Sequence, residues 1–271
     1  MAVTKGTLPP GSEFSNAMDK DRNPPTVLTG AASESVVWMP DGSPHSPRFK
    51  DRYRSRSGGL AQAVAVFLAG TGLPAAWRGR DRFSVLETGF GLGMNFLCTW
   101  AAWEGDPQRS QILQFVSVEA FPVSAADLVR SACKASAEDQ AEPAIALRLP
   151  VLAAQLAQVW HGLAPGIQHW SFAGGRVQLT LAVGEVQAML QELKCQADAV
   201  YLDGFSPALN PQMWSAQTLH LVTQHCGPGT ALATYTVASS VRERLRQLGF
   251  SVEKCPGLPP KRDRLQAVLR P

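Results

Sequence analysis

The stretch from Phe83 to Asn95, FSVLETGFGLGMN, limits what this chain can fold into more than any other segment. An apolar, β-favouring run of Phe83, Val85 and Leu86 leads into Gly89, Gly91 and Gly93, and then into a helix-like apolar segment from Met94 to Trp103. Strand, tight turn and helix follow in that order. Glycine suits such a turn because it lacks a Cβ, reaches positive φ at little cost and lets a ligand come close to the backbone. The next helix opens with unpaired N–H groups that can receive polar ligand atoms. A plain connection would also favour one or two glycines, so the neighbouring residues decide what the turn is for.

Those neighbours point to a nucleotide without a pyrophosphate. The dinucleotide fingerprint needs G-x-G-x-x-G, whereas here the spacing is G-x-G-x-G and Met94 occupies the expected last glycine position. Glu87, at the strand end, would repel a pyrophosphate and attract an ammonium group. The loop resembles the cofactor loop of S-adenosylmethionine-dependent methyltransferases, whose ligand carries an amino acid and no phosphate. Gly89, Gly91, Gly93 and Asn95 are thus expected to hold that cofactor together with Glu87.

A chain of 271 residues with 45% apolar content can build one principal α/β domain. No apolar run approaches the roughly 20 residues that cross a bilayer, and the start, MAVTKGTLPPGSEF, lacks the apolar core of a secretion signal, so a soluble cytoplasmic protein is expected. Cys98, Cys133, Cys195, Cys226 and Cys255 are scattered without a C-x-x-C pair and read as reduced thiols. His161 and His169 lack metal-ligand spacing, and no metal is expected. Net charge is only +3, but the basic residues cluster. Arg48, Lys50, Arg52, Arg54 and Arg56 alternate and would project to one side of an extended segment; Arg78, Arg80 and Arg82 form a second set, and Lys261, Arg262 and Arg264 a third. Three such runs suit an RNA partner, although solvated surface is the ordinary use of any one of them.

In chain order, residues 1–35 are rich in Pro, Ser, Thr, Gly and Ala and are expected to be a disordered tail. An N-terminal layer follows over 36–80, with a short strand at VVWM, a turn at Asp41-Gly42 and a helix from Gly59 to Leu68. The core alternates strands near 82–87, 112–119, 176–183 and 199–203 with helices, the pattern of a parallel sheet. A helical insertion is expected over 124–172. Glu119 ends the second core strand, where an acid accepts from ribose hydroxyls, and Phe121 follows as a surface for adenine. Glu185 stands either to accept from an adenine amino group or to start a helix as a dipole-matched acid. Asp203 opens DGFSPALNPQMW at the carboxyl edge of the sheet, a second chemical anchor.

Whole segments then resemble a known family, the methyltransferase half of the bacterial tRNA-modifying MnmC proteins. ETGFGLGMNFL, SVEAFPVSAADL, YLDGFSPALNPQMW, DGSPHSPRFKDRY and PGTALATYT match in order, covering about residues 36–269. The resemblance implies a Rossmann-like class I methyltransferase fold, a mostly parallel seven-stranded sheet with helices on both faces, and a single methyltransferase domain over 36–271 with N-terminal and helical insertions. It implies methyl transfer from S-adenosylmethionine to the aminomethyl nitrogen of a wobble 2-thiouridine in tRNA. Asp203 would bind and orient that amine or take its proton, Phe205 and Pro207 would shape the pocket, Tyr53 would contact the uridine, and Lys261 and Arg262 would contact tRNA. Departures stand at Lys50, Arg52 and Arg54, at Glu185 where the family usually has Asp, and at Leu209 where it often has a basic residue. Bifunctional relatives carry a flavin oxidoreductase after this half, so no flavin chemistry is expected here and a separate FAD-dependent oxidoreductase is an expected pathway partner. Methyl transfer to another RNA or a small amine is the alternative reading; a dinucleotide oxidoreductase and a noncatalytic RNA-binding module are weaker ones.

Overall fold

A computed structural model describes residues 33–55, 58–138, 142–259 and 262–271. Residues 1–32 of the expected N-terminal tail lie outside that set; within it, Glu34 is buried and accepts from Ser46 Oγ at 2.6 Å and Arg48 Nε at 2.9 Å.

A small antiparallel sheet, β1 (Val37–Trp38), β2 (Pro44–Ser46) and β3 (Asp51–Arg52), forms the first layer. The expected helix from Gly59 to Leu68 is α1 (Gly59–Gln62) widened into a π-helical stretch at Ala63–Leu68 and tightened again at Ala69–Thr71. Thr71 Oγ1 donates to the carbonyl of Phe67 at 2.8 Å, a side-chain bond that serves the backbone where the regular ladder changes pitch.

The main sheet has eight strands: β4 (Arg82–Glu87), β5 (Ile112–Glu119), β6 (Gly166–Phe172), β7 (Val177–Val183), β8 (Ala197–Tyr201), β9 (Cys226–Thr234), β10 (Phe250–Pro256) and β11 (Asp263–Leu269). Their spatial order is β10-β11-β9-β8-β4-β5-β7-β6, with β7, β5, β4, β8 and β9 mutually parallel and β6, β11 and β10 joined through antiparallel pairs. The sheet therefore has one strand more than the expected seven. The addition, β6, lies inside the segment expected to be a helical insertion; GIQHWSF alternates exposed and half-buried positions and pairs with β7 from Gly166↔Val183 to Phe172↔Val177. The rest of that segment is helical: α3 (Ala125–Glu138), α4 (Pro143–Ala146) and α5 (Leu149–Val159).

Alternation along β4 shows how the strands feed two cores. Phe83 and Val85 join the cluster under α1, α3, α5 and α2 (Met94–Gly105), while Leu86 joins the cluster under α6 (Val186–Glu192), α7 (Ala216–Gln224) and α8 (Ser239–Gln247). Helix α2 is buried almost all round, from Phe96 and Leu97 to Trp100 and Trp103, because α4, α5 and the π-helical stretch cover the side away from the sheet. Phe96 packs against Trp100, Phe115 and Phe172 with ring centroids 5.2–6.2 Å apart, so the helix that carries the glycine loop is anchored to the sheet by aromatic contacts. Among the described residues no helix is long and apolar enough to cross a membrane.

Candidate active site

Because β4, β5, β8 and β9 are parallel, their carboxyl ends share one edge of the sheet. The chain runs outward from β4 through β5 to β7 on one side, and through β8 to β9 on the other, so the crevice between β4 and β8 is the topological switch point where α/β folds take their ligands. A cavity of about 440 Å³ opens there, lined by the glycine loop, the end of β5, the segment after β8 and the N-terminal layer.

The glycine loop and the Asp203 segment are laced together. Thr88 Oγ1 donates to the Asp203 carbonyl at 2.6 Å and accepts from Asp203 N at 3.1 Å. A Cβ on Gly89 would stand 3.4 Å from that same carbonyl and from Gly204 Cα, so the two backbones run in contact. Gly91 and Gly93 take φ of +52° and +70°, the left-handed region that side chains disfavour. Behind the loop, Phe90 stacks on Trp160 at 5.0 Å, and a Cβ on Gly93 would come within 3.0 Å of the Phe90 ring. Met94, in the place of the last fingerprint glycine, begins α2 and lines the cavity.

Glu119 faces the cavity from the end of β5 and accepts from Gly91 N at 2.8 Å through one oxygen and from Phe121 N at 2.9 Å through the other. Burial pushes its carboxyl above the usual carboxylate range against the pull of those N–H groups. Phe121 also lines the cavity, with the Arg48 guanidinium 3.9 Å above its ring centroid.

Glu87 is not where the sequence suggests. It is fully buried and does not line the cavity; Ser117 Oγ donates to it at 2.6 Å and Asn95 Nδ2 at 2.9 Å. Its side chain falls on the same face of β4 as Phe83 and Val85, behind Asn95, so Asn95 meets the cavity in its place. Burial, reinforced by the nearby Asp203, raises Glu87 to about 8 although both hydrogen bonds oppose the shift. Asn95 Nδ2 also donates to Asp203 Oδ2 at 2.8 Å, while Asp203 Oδ1 accepts from Gly204 N at 2.8 Å.

Glu185 likewise lies away from the cavity. It is the N-cap of α6, accepting from Gln187 N and Ala188 N, so of its two expected uses the geometry matches the helix-start acid. Pro207 is part of the turn closed by Leu209 N and Asn210 N on the Ser206 carbonyl and does not line the cavity either. Lys261 and Arg56 lie outside the described residues. Arg262 is exposed on the turn before β11, its carbonyl accepting from Gly257 N at 2.8 Å.

Tyr53 and Phe205 come together with a third ring that the sequence reading did not single out. Phe49 stacks on Phe205 at 4.6 Å, and Tyr53 meets Phe205 edge-on at 5.1 Å. Asp51 ties this wall to the Asp203 segment by accepting from Ser206 N at 2.9 Å, and Tyr235, after β9, donates to the Gly204 carbonyl at 2.7 Å. Burial and neighbouring carboxylates raise both tyrosine hydroxyls, which therefore stay protonated donors. The sequence signal for Phe49 and Asp51 was present in RFKDRY, but only tertiary pairing sets them against residues 203–206.

The basic runs behave differently from the expected one-sided array. Lys50 has φ +53°, which breaks the extended segment, and its neighbours turn to separate acids: Arg48 to Glu34, Arg52 to Asp41 and Arg54 to Glu138. Arg78 and Arg80 pair with Asp106 and Asp198 at the amino edge of the sheet, away from the cavity. No group of three His, Cys, Asp or Glu side chains among the described residues is placed to hold a metal ion.

Comparison with known proteins agrees with this geometry. Residues 149–270 match a family described as S-adenosyl-L-methionine-dependent methyltransferase. The chain is 55% identical over 239 residues to the tRNA 5-methylaminomethyl-2-thiouridine biosynthesis bifunctional protein MnmC of Acidovorax sp. (strain JS42), covering 88% of this chain and 36% of that protein. It is 52% identical over 242 residues to the MnmC of Polaromonas sp. (strain JS666 / ATCC BAA-500), with the same coverage. The chain thus spans about a third of the length of these relatives. The crystal structure of MNMC2 from Aquifex aeolicus superposes with a TM-score of 0.65 at 22% identity, covering 89% of this chain and 73% of that one, which shows a shared fold. Residues 149–270 thus match the S-adenosyl-L-methionine-dependent methyltransferase family, and the chain is similar to the MnmC proteins over one part of their length.

Proposed function

We propose that this protein transfers a methyl group from S-adenosylmethionine to the primary amine of a 5-aminomethyl-2-thiouridine at the tRNA wobble position, giving 5-methylaminomethyl-2-thiouridine. The observation that carries the reading is the position of Asp203: its carboxylate stands beside the glycine loop and the Phe49–Phe205 stack, within one cavity. The name of the relatives supplies the substrate class.

The residues present fit the cofactor. Glu119 has both oxygens steadied by backbone N–H groups and keeps acceptor capacity for ribose hydroxyls, and Gly91 leaves room that a side chain facing Tyr53 would narrow. Phe121 offers a flat apolar face for a base. When bound, the cofactor supplies an electrophilic methyl carbon on a sulfonium.

The amine must arrive with a lone pair, and an alkylammonium, with a pKa near 10, has none. Asp203 accepts from the ammonium, orients its nitrogen and takes one proton, which leaves a neutral nitrogen whose lone pair would receive the methyl group from the sulfonium of the bound cofactor, giving a secondary ammonium and a thioether. Asn95 and Gly204 N hold the carboxylate for that exchange. Phe205 and Tyr53 fix the uridine plane, and closeness with alignment supplies much of the remaining rate. Arg262, exposed on the turn before β11, contacts tRNA, as does Lys261. The relatives are named bifunctional, and the aminomethyl substrate needs a source; a separate FAD-dependent oxidoreductase in the cytoplasm is the proposed pathway partner.

Incubating aminomethyl-bearing tRNA with the protein and S-adenosylmethionine, followed by mass analysis of the wobble nucleoside, tests this. A gain of one methyl group on the aminomethyl nitrogen is expected. Methylation of free small amines without any product on tRNA would turn the assignment to the alternative substrate class.

A further inference from the structure

The Arg54 side chain is only 11% exposed, lines the cavity, and meets a partner from another layer of the molecule. Nη1 and Nη2 both point at a single oxygen of Glu138, each at 3.3 Å. A guanidinium binds best when two parallel N–H groups meet two oxygens at shorter range, so this contact leaves the fork unmatched.

The same carboxylate is shared. Lys134, one helical turn before Glu138 on α3, pairs with its other oxygen. Lys134 extends across the turn at Gly42, where any Cβ would run into the lysine side chain, and Ser131, one turn earlier on the helix, lines the cavity. Next along the rim, Arg52 lines the cavity as well and makes a long contact of 3.5 Å to the exposed Asp41. Two cations share one carboxylate at this point, beside a cavity whose lining also carries Asp51, Glu119 and Asp203.

We infer that Arg54 and Lys134 form a phosphate-binding subsite at the cavity rim, which takes a phosphodiester of an RNA next to the nucleotide whose base enters the cavity. Glu138 occupies the guanidinium in the free protein, and a phosphate, with two non-bridging oxygens, satisfies the fork that one carboxylate oxygen cannot. The inference names a contact for the tRNA reading above and rests on it. It gives Glu138 a sign opposite to that of an ordinary salt-bridge partner, because an acid that competes with the phosphate weakens RNA binding.

Equilibrium binding of aminomethyl-bearing tRNA, followed by fluorescence anisotropy across a salt series, tests it with the wild type, Arg54→Ala, Arg54→Lys and Glu138→Gln. Arg54→Ala should weaken binding about tenfold, the scale of a lost hydrogen bond to a charged group, and should reduce the slope of log Kd against log salt by about one. Arg54→Lys should recover most of the slope and part of the affinity, and Glu138→Gln should tighten binding. An unchanged slope in Arg54→Ala, or Glu138→Gln weakening binding alongside it, overturns the subsite and leaves a structural bridge. Should Arg54→Ala fail to fold, the direction of the Glu138→Gln effect decides alone. Arg54-dependent binding without methylation keeps the subsite and sinks the proposed reaction; methylation with an Arg54-independent slope does the reverse; no binding of tRNA at all overturns both.

Discussion

Glu87 and Asp203, at the ends of the neighbouring strands β4 and β8, accept from the same nitrogen: Asn95 Nδ2 lies 2.9 Å from Glu87 Oε1 and 2.8 Å from Asp203 Oδ2. One amide uses both of its N–H groups to hold a fully buried carboxyl and a half-buried carboxylate side by side. That sets the amide's orientation, and it makes Asn95 the link between a buried carboxyl and the carboxylate proposed to handle the amine.

Replacing that amide by a third acid is the sharpest probe of the arrangement. Asn95→Asp is nearly isosteric but removes both N–H donors, so Glu87 keeps Ser117 and Asp203 keeps Gly204 N while each loses one hydrogen bond, at a cost of about 1–3 kcal/mol each. A lowered melting temperature and a loss of turnover exceeding a hundredfold are expected. Stability and single-turnover rate both within a factor of two of the wild type would show that the bridge holds neither acid in place.

Stability should depend on pH through Glu87. Its carboxyl titrates at about 8 in the folded chain, against an ordinary glutamate value of 4.5 once unfolded. Between those values the folded protein carries the extra proton, so stability falls as pH rises through this window, with a slope of up to about 1.4 kcal/mol per pH unit, and levels off above it. Glu87→Gln cannot ionise and should flatten the curve between pH 5 and 8. Melting temperatures of the two proteins across that range decide the matter: parallel curves would mean that Glu87 is ionised throughout.

Much of this was legible in the chain because the decisive elements are local. Phe83–Glu87, Met94–Trp103 and Ile112–Glu119 carry their period, their glycines and their terminal acids within short spans, and the helices and strands appear there. What stayed hidden depends on facing. Glu87 and Asn95 flank one loop, but which of them meets the cavity is set by the pleat of β4 against the start of α2. Strand β6 looked like part of a helical insertion because its edge position leaves Gln168, His169 and Trp170 polar or amphipathic rather than uniformly apolar. The Phe49–Phe205 stack joins distant parts of the chain, and no local pattern announces it.

Glu185 offers a clean separation of a capping role from a ligand role. As the N-cap of α6 it satisfies Gln187 N at 3.0 Å and also receives Gln212 Nε2. Glu185→Ala should lower stability by about 1 kcal/mol while the dissociation constant for S-adenosylmethionine, measured by calorimetry, stays within twofold. A tenfold weaker cofactor complex would return Glu185 to the adenine contact that its sequence position also allowed.

Two glycines on either side of α2 should respond to the same substitution with opposite signs. Gly93, the N-cap, has φ +70°, and a Cβ there would lie 3.0 Å from the Phe90 ring, which is itself stacked on Trp160 and has little room to yield. Gly93→Ala meets the left-handed penalty of about 1–2 kcal/mol together with an overpacking cost of about 1–3 kcal/mol, and the displaced Phe90 shifts the loop that fits the cofactor. Gly105, the last residue of the helix, has open space around an added Cβ and no positive φ. Gly105→Ala should be neutral or stabilising by up to about 1 kcal/mol, since alanine narrows the unfolded ensemble without strain. Chemical denaturation of both variants, with cofactor affinity measured in parallel, checks the contrast; equal destabilisation at the two positions would mean that the backbone of the glycine loop is not held in the left-handed form.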